Sequence, residues 1–314
     1  MKRIVFSFLA LFLCLAASPD DKHARPRILG LAGIRFYSTN VKATRNFYAQ
    51  VLGPEGAFSD ECLWCEAPAA EGKSEIPKNG LELPLVAKIN SGQQVLVAEP
   101  HGAPPTNLLY EVVFATDNVP AMRNFLSVNH VVIEKTKIKS SNYFSVLDPE
   151  GHRISFIPAA QSAAQASASD MQIIHAGFVV KDRAAEDKFY KDILGFHVYW
   201  HGGMKEGEDN WVDMQVPDGT DWIEYMLRVS PDASHKTLGV MNHIALGVPD
   251  IYAAQQQLIK NGWKSTEEPK IGRDGKWQLN LYDPDETRVE LMEFKPTKEP
   301  CCSPYTGPHP GPAE

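Results

Sequence analysis

Two histidines and two glutamates recur at matched intervals in the second half of the chain. His175 lies in "IIHAGFVV", and Glu224 in "WIEYML" follows 49 residues later. His243 lies in "MNHIALGV", and Glu290 in "RVELMEF" follows 47 residues later. Each pair puts an imidazole on one strand-like segment and a carboxylate on a later one. A single imidazole in such a segment reads as a core histidine satisfied by one hydrogen bond. Two His–Glu pairs at nearly equal spacing read as a metal site. Two carboxylates brought together repel and raise one pKa, and a divalent cation keeps both ionised. An N₂O₂ set leaves two octahedral positions for water or a chelating substrate. Such a site accepts one divalent ion, with Ni, Co, Zn, Mn and Fe all admissible. In "HIALGV", His243, Ala245 and Gly247 share one strand face. Gly177, Ala245 and Gly247 are expected to keep a cleft open.

These residues need scaffolding, and the chain repeats itself to supply it. "NVKATRNFYAQVLG" (40–53) matches "DRAAEDKFYKDILG" (182–195), and "LDPEGHRISFI" (147–157) matches "YDPDETRVELM" (282–292). The offsets of 142 and 135 residues make one block a diverged copy of the other. Each block is itself double, with an alternating strand, an Asp, a helix and a Gly turn. The unit reads β-α-β-β-β. "AAEDKFYKDIL" has helical spacing with Phe189, Ile193 and Leu194 on one face, and "FHVYW", "NWVDMQV" and "DWIEYML" read as strands. The fold class is therefore α+β: two modules, each of two βαβββ units forming curved sheets around a cleft. The boundaries fall at 27–157 and 171–294, with an Ala/Ser/Gln linker over 158–170 and a Pro-rich tail over 295–314 expected to be disordered.

The F-Y-x-x-x-L-G element and the "HIALGV" and "DPDETRVEL" segments resemble the vicinal oxygen chelate (VOC) superfamily, which includes glyoxalase I, extradiol dioxygenases, methylmalonyl-CoA epimerase and bleomycin-resistance proteins. The resemblance covers about residues 27–294 and is sharpest over 171–294. It implies a glyoxalase I-like metal site of His175, Glu224, His243 and Glu290. It implies a lyase or isomerase acting on a small vicinal-oxygen substrate through a metal-bound enediolate, with Glu290 as proton shuttle and Glu224 its symmetric partner. Two other classes stay open. In an extradiol-type Fe(II) dioxygenase, His175, His243 and Glu290 would form the facial triad. Glu224 and Asn280 then stand where that family has its acid–base His and its Tyr. The third class is a non-catalytic small-molecule or metal-binding protein. Substrate-pocket candidates are Trp211, Trp222, Trp277, Gln278 and Asn280, with Arg273 in "IGRDGK" as an anion clamp. The first module lacks the ligand set. Alignment on F-Y puts Gly33 at the His175 place, alignment on the Asp after the strand puts Tyr110 at the His243 place, Ser155 replaces Glu290, and "QQVLVA" has no carboxylate.

The N-terminus reads as a secretory signal peptide over 1–18: Lys2 and Arg3, the apolar run Ile4–Ala17, and small residues at Ala16, Ala17 and Ser18. Fourteen apolar residues are too few to span a bilayer, which takes about 20. Export, periplasmic or secreted, follows as an expectation, as does no membrane association after cleavage. Export argues against a glutathione hemithioacetal as substrate, because glutathione is mainly a cytosolic reductant. Loss of the leader takes the formal charge from −8 to −10. That acidity, without a basic stripe, excludes nucleic acid as a partner and leaves a small molecule, with a homodimer compatible. An oxidising compartment permits disulfides among Cys62, Cys65, Cys301 and Cys302. The bridge is expected within Cys62–Cys65 or between the tail and the first module. A redox Cys-x-x-C and a four-thiolate zinc site are the other readings.

Overall fold

The computed structural model describes residues 24–53, 57–65, 84–135, 140–159 and 171–312. The leader and residues 160–170 of the linker lie outside the described residues. None of the described helices is long and apolar enough to cross a membrane.

The first module carries β1 (Ile28–Tyr37), α1 (Val41–Leu52), β2 (Leu85–Lys88), β3 (Gln94–Ala98), β4 (Leu109–Thr116), α2 (Val119–Val128), β5 (Phe144–Leu147) and β6 (Arg153–Pro158). Its sheet runs β2-β3-β1-β4-β6-β5. The first of the three later strands in each unit is reduced here to a single bridge, Phe58 to Ala87 and Ile133 to Val146. The second module carries β7 (Gln172–Val179), α3 (Arg183–Asp187), β8 (His197–Gly202), β9 (Trp211–Gln215), β10 (Trp222–Met226), α4 (His235–Met241), β11 (His243–Val248), α5 (Ile251–Lys260), β12 (Lys270–Ile271), β13 (Trp277–Tyr282) and β14 (Arg288–Glu293). Its sheet runs β12-β13-β14-β11-β7-β10-β9-β8. In both sheets the opening strands of the two units lie side by side and antiparallel at the centre. The doubling of each block is therefore built into the strand order. The "AAEDKFYKDIL" helix departs from plain α geometry, with α3 passing into a π turn over Lys188–Ile193.

Each unit helix starts the same way. Asn40, Asn118, Asp182 and Asp250 cap α1, α2, α3 and α5 by accepting from the backbone N–H three residues on. That bond satisfies one of the donors a helix N-terminus leaves free. The alternate strand faces divide the apolar residues. One face of both sheets joins the helices in a core that runs through both modules, including Phe47, Phe114, Phe178, Tyr190 and Leu258. The other face lines a separate cluster in each module, around Trp64 in the first and around Trp200, Trp222 and Phe294 in the second.

The modules hold each other through a repeated clasp. Glu150, in the "DPEGH" turn, accepts from the N–H groups of Lys181 and Asp182 at the start of α3. Asp285, in the matching "DPDET" turn, accepts from Ser38 Oγ and Thr39 N ahead of α1. Buried Asp221 accepts from Leu31 N, and Gln93 bridges Leu31 and Ile173.

The tail over residues 295–312 has no regular secondary structure but is not disordered, contrary to its composition. It lies along β8 and β9: Thr306 N donates to Tyr199 O, Gln215 Nε2 to Pro308 O, and Trp200 Nε1 to Cys301 O. Tyr305 packs tilted and His309 edge-on against Tyr199. Tyr199 and Trp200 of the edge strand β8, buried beneath the tail, supply the apolar surface that a Pro-rich segment lacks by itself. Both disulfides are local, Cys62–Cys65 and Cys301–Cys302, so the tail is not pinned to the first module and no thiolate is left among these four for zinc.

Candidate metal centre

The four central strands of the second sheet, β14-β11-β7-β10, carry one of the four residues each. Glu290 and Asn280 are cross-strand partners, as are Ala245 and His175, and Glu224 and Asp213. Gly177 stands opposite His243. A Cβ at Gly177 would overlap the His243 ring, so glycine is what seats the imidazole. Gly247 works differently from expectation: it leaves room for Phe294 and Ile174, packing rather than cleft floor.

The side chains converge. His175 Nε2 and His243 Nε2 lie 3.1 Å apart. Glu224 Oε2 is 3.8 Å from His175 Nε2 and 3.2 Å from His243 Nε2. Glu290 Oε2 is 3.7 and 3.9 Å from the same two nitrogens. Both histidines are buried, and burial holds both well below the usual imidazole pKa, hence neutral. Burial pushes the Glu224 and Glu290 carboxyls up to about 7, against the pull of Arg288.

Three observations make this arrangement fit a divalent cation. His243 Nδ1 faces Met241 O at 3.3 Å, which places its proton there and leaves Nε2 a lone pair. Arg288 donates to that same lone pair at 2.6 Å, so it points into the cleft. The charge inventory is also short of cations. Asp213 and Asp274 join Glu224 and Glu290 as buried or nearly buried carboxylates, against Arg288 and Lys276. Burial raises the pKa of all four carboxyls, and a bound cation would offset that penalty and keep them ionised.

Arg288 and Asp213 line the cleft and Lys276 lies buried beside it, and the motif reading missed all three. Strand parity would have found them. Arg288 lies two before Glu290, Asp213 two after Trp211, and Lys276 two before Gln278. Lys276 is fully buried. Among the described residues its Nζ has no hydrogen-bond partner, and it sits 4.5, 5.4 and 5.4 Å from the rings of Trp222, Tyr199 and Tyr305. Burial lowers its pKa to about 8, with Asp274 and Asp213 opposing.

The cleft encloses about 410 Å³. Trp211, Trp222, Arg273, Gln278 and Asn280 line it, as expected of them. Trp222 also packs on the His175 ring at 4.9 Å. Trp277 does not: it lies on the opposite strand face, against Tyr252 at 5.2 Å. Odd and even positions of β13 point to different sides, and Trp277 has the wrong parity.

The corresponding place in the first module is plugged. Strand pairing puts Gly33, Leu96, Glu111 and Ser155 where the second module has His175, Glu224, His243 and Glu290. The His243 equivalent is thus Glu111 and not Tyr110. Trp64, carried on the Cys62–Cys65 loop, fills the space over Gly33 and donates to Glu111 Oε2. Tyr143 and Ser155 donate to Glu111 Oε1, and Arg35 lies 3.4 Å away. A second group of ligand-type side chains, Asp148, His152 and Glu186, lies where the modules meet. There Asp148 already has four partners: the N–H groups of Glu150 and His152, the His152 ring and Tyr190 OH. It is a hydrogen-bond node with no lone pair left for an ion.

Residues 172–291 match the model of the Glyoxalase/Bleomycin resistance protein/Dioxygenase superfamily. The chain is 30% identical over 130 residues to the lactoylglutathione lyase of Haemophilus influenzae, across 41% of this chain and 96% of that protein. The chain belongs to this superfamily. Among solved structures, a mutant homoprotocatechuate 2,3-dioxygenase of Brevibacterium fuscum superposes with a TM-score of 0.59 at 19% identity, over 87% of this chain and 74% of its own. The enzyme of that name from Arthrobacter globiformis gives 0.57 at 17%, over 86% and 80%. These likenesses extend the superfamily fold to both modules.

Proposed function

We propose that the second module is a divalent-metal lyase or isomerase of the glyoxalase/epimerase kind, acting on a small molecule with adjacent oxygens. The observation that carries this is the convergence of His175, Glu224, His243 and Glu290, whose ligand atoms lie 3.1–3.9 Å from the two imidazole nitrogens. The two imidazoles and two carboxylates would hold the ion. When bound, it supplies Lewis-acid polarisation of the substrate oxygens. The chain's own groups do the rest. Glu290, the more buried carboxylate, takes a proton from the substrate carbon and returns it to a neighbouring atom. Asn280, its cross-strand partner, orients substrate polar groups, and Trp211 and Trp222 restrict water. The similarity to a lactoylglutathione lyase supports the reaction class. The signal-like N-terminus supports an exported protein and a substrate other than a glutathione adduct.

The two-module architecture shared with the homoprotocatechuate 2,3-dioxygenases favours one other reading, a ring-cleaving dioxygenase centred on His175, His243 and Glu290. Glu224, 3.2 Å from His243, occupies the space such chemistry leaves open for O₂. The deciding experiment incubates the metal-loaded protein with hydroxyketones in D₂O and, separately, with catechols under O₂. Metal-dependent deuterium incorporation at carbon, without O₂ uptake, supports the lyase/isomerase. O₂ uptake with iron and a catechol replaces it with the dioxygenase.

A further inference from the structure

A second and larger cavity, about 1190 Å³, adjoins the metal cleft, and Cys301 and Cys302 both line it. The disulfide between them closes a ring on two adjacent residues. Cys302 is exposed, and its backbone is held at φ 77°. Residues with a Cβ rarely adopt that left-handed conformation. Arg273 donates to Cys302 Sγ at 3.6 Å. A positive charge beside a sulfur stabilises its thiolate. A stabilised thiolate is the better leaving group in thiol–disulfide exchange. The other disulfide is placed differently. Cys62 and Cys65 pack, half-buried, against the apolar cluster around Trp64, and Cys62 Sγ accepts from Cys65 N at 2.9 Å.

The same two residues hold the loop between β12 and β13, whose Gly272, Arg273 and Asp274 line the metal cleft. Cys301 N donates to Arg273 O at 2.8 Å. Cys301 O accepts from Trp200 Nε1 and from Ser303 N. The Ser303 hydroxyl donates to His201 O and accepts from His201 N. The ring therefore sits in the tie between β8 and the cleft loop. Opening it lets the Cys302 backbone leave its left-handed conformation, and the tie at Arg273 loosens with it.

We propose that Cys301–Cys302 is a thiol-exchange site whose redox state sets the grip of the tail on the metal-cleft loop. The reductant is a small dithiol, or two equivalents of a monothiol, entering the outer cavity. Its first thiolate attacks Cys301 Sγ. A mixed disulfide forms, the Cys301–Cys302 bond breaks, and Cys302 leaves as a thiolate beside Arg273. The second thiolate displaces Cys301 from the mixed disulfide. The reductant ends as its own disulfide, having given two electrons to the cysteine pair, and its protons pass through solvent to the two cysteine thiolates. This site does not depend on the metal-cleft reading, since the exchange and the loop can both be followed without an ion.

Dithiothreitol on the folded full chain tests this. Timed alkylation and peptide mass mapping follow the two bridges in one sample. The Cys301–Cys302 bridge is expected to open about tenfold or more faster than Cys62–Cys65. Arg273→Gln should slow that opening by about threefold or more, and Arg273→Lys should keep part of the rate. The Cys62–Cys65 rate should stay constant across these variants, which serves as the check that they fold. Amide hydrogen exchange then reads the loop. Exchange over 272–276 should rise by about tenfold or more after reduction, and equally in the unreduced Cys301→Ser/Cys302→Ser double variant, with α1 unchanged. If Cys62–Cys65 opens first or at the same rate, or if the Cys301–Cys302 rate ignores Arg273→Gln, the exchange site is overturned. If loop exchange is the same before and after reduction, the link to the cleft is overturned.

Discussion

A methyl group at Gly177 would overlap the imidazole of His243, so the least chemically active residue near the centre decides whether the ligand can be seated. Gly177→Ala is expected to leave the sheet folded, displace the ring and weaken metal binding by about 10–100-fold, the range seen when groups supporting ligands are changed. A competitive metal titration with a coloured chelator measures it, and an unchanged affinity would show that His243 is not held by this contact. Glu290→Gln keeps the size and a neutral oxygen but removes the base. Proton exchange on a turned-over substrate should fall by about 10²-fold or more, with the protein still folded and still able to take up metal. Retained exchange would move the proton-transfer role to Glu224. The four converging residues were legible from type and spacing alone. Arg288, Asp213 and Lys276 were not, because single polar residues carry no motif and only strand parity assigns them to the cleft.

The helix caps set the ligand register at the next scale. His175, His243, Gly33 and Glu111 each lie seven residues before a cap, at Asp182, Asp250, Asn40 and Asn118. Alignment on an Asp after the strand selects Asp117 instead of the true cap Asn118, and the resulting one-residue slip lands on Tyr110. A slip of one residue moves a side chain to the other face of a sheet. The same element logic explains the Cys-x-x-C motif: the bridged loop delivers Trp64 to the plugged cleft of the first module. Trp64→Ala should destabilise the first module by about 3–5 kcal/mol through the cavity it leaves. Metal content of the second module should not change. Denaturant unfolding together with metal analysis checks both halves of that statement. The tail illustrates what composition cannot show. Its order depends on Tyr199 and Trp200 of another segment, which no local pattern in "PCCSPYTGPHPGP" encodes.

For the molecule as a whole, the junction between modules contains carboxyls whose pKa burial raises. Burial pushes Asp221 up to about 7, against the Leu31 N–H bond, and pushes Asp283 up to about 7. An acid whose pKa is raised on folding binds its proton more tightly when folded. Its contribution is therefore present at low pH and is lost as pH rises through the window from about 4 to 7, by at most about 1.4 kcal/mol per pH unit per group. Asp221→Asn keeps an acceptor for Leu31 N without the charge. It should flatten the fall in urea midpoint between about pH 4 and 7 and stabilise the protein at pH 8. An unaltered slope would show that folding does not raise the Asp221 pKa. The two-module fold was readable from internal repetition, whereas the clasps of Glu150 and Asp285 required the modules to be seen together. One measurement bears most directly on the metal centre: elemental analysis of the purified full chain beside its His243→Ala variant. The predicted result is one divalent ion per chain in the wild type and almost none in the variant. A metal-free wild type after exposure to Ni, Co, Zn, Mn and Fe, or a variant that keeps its full complement, would contradict it.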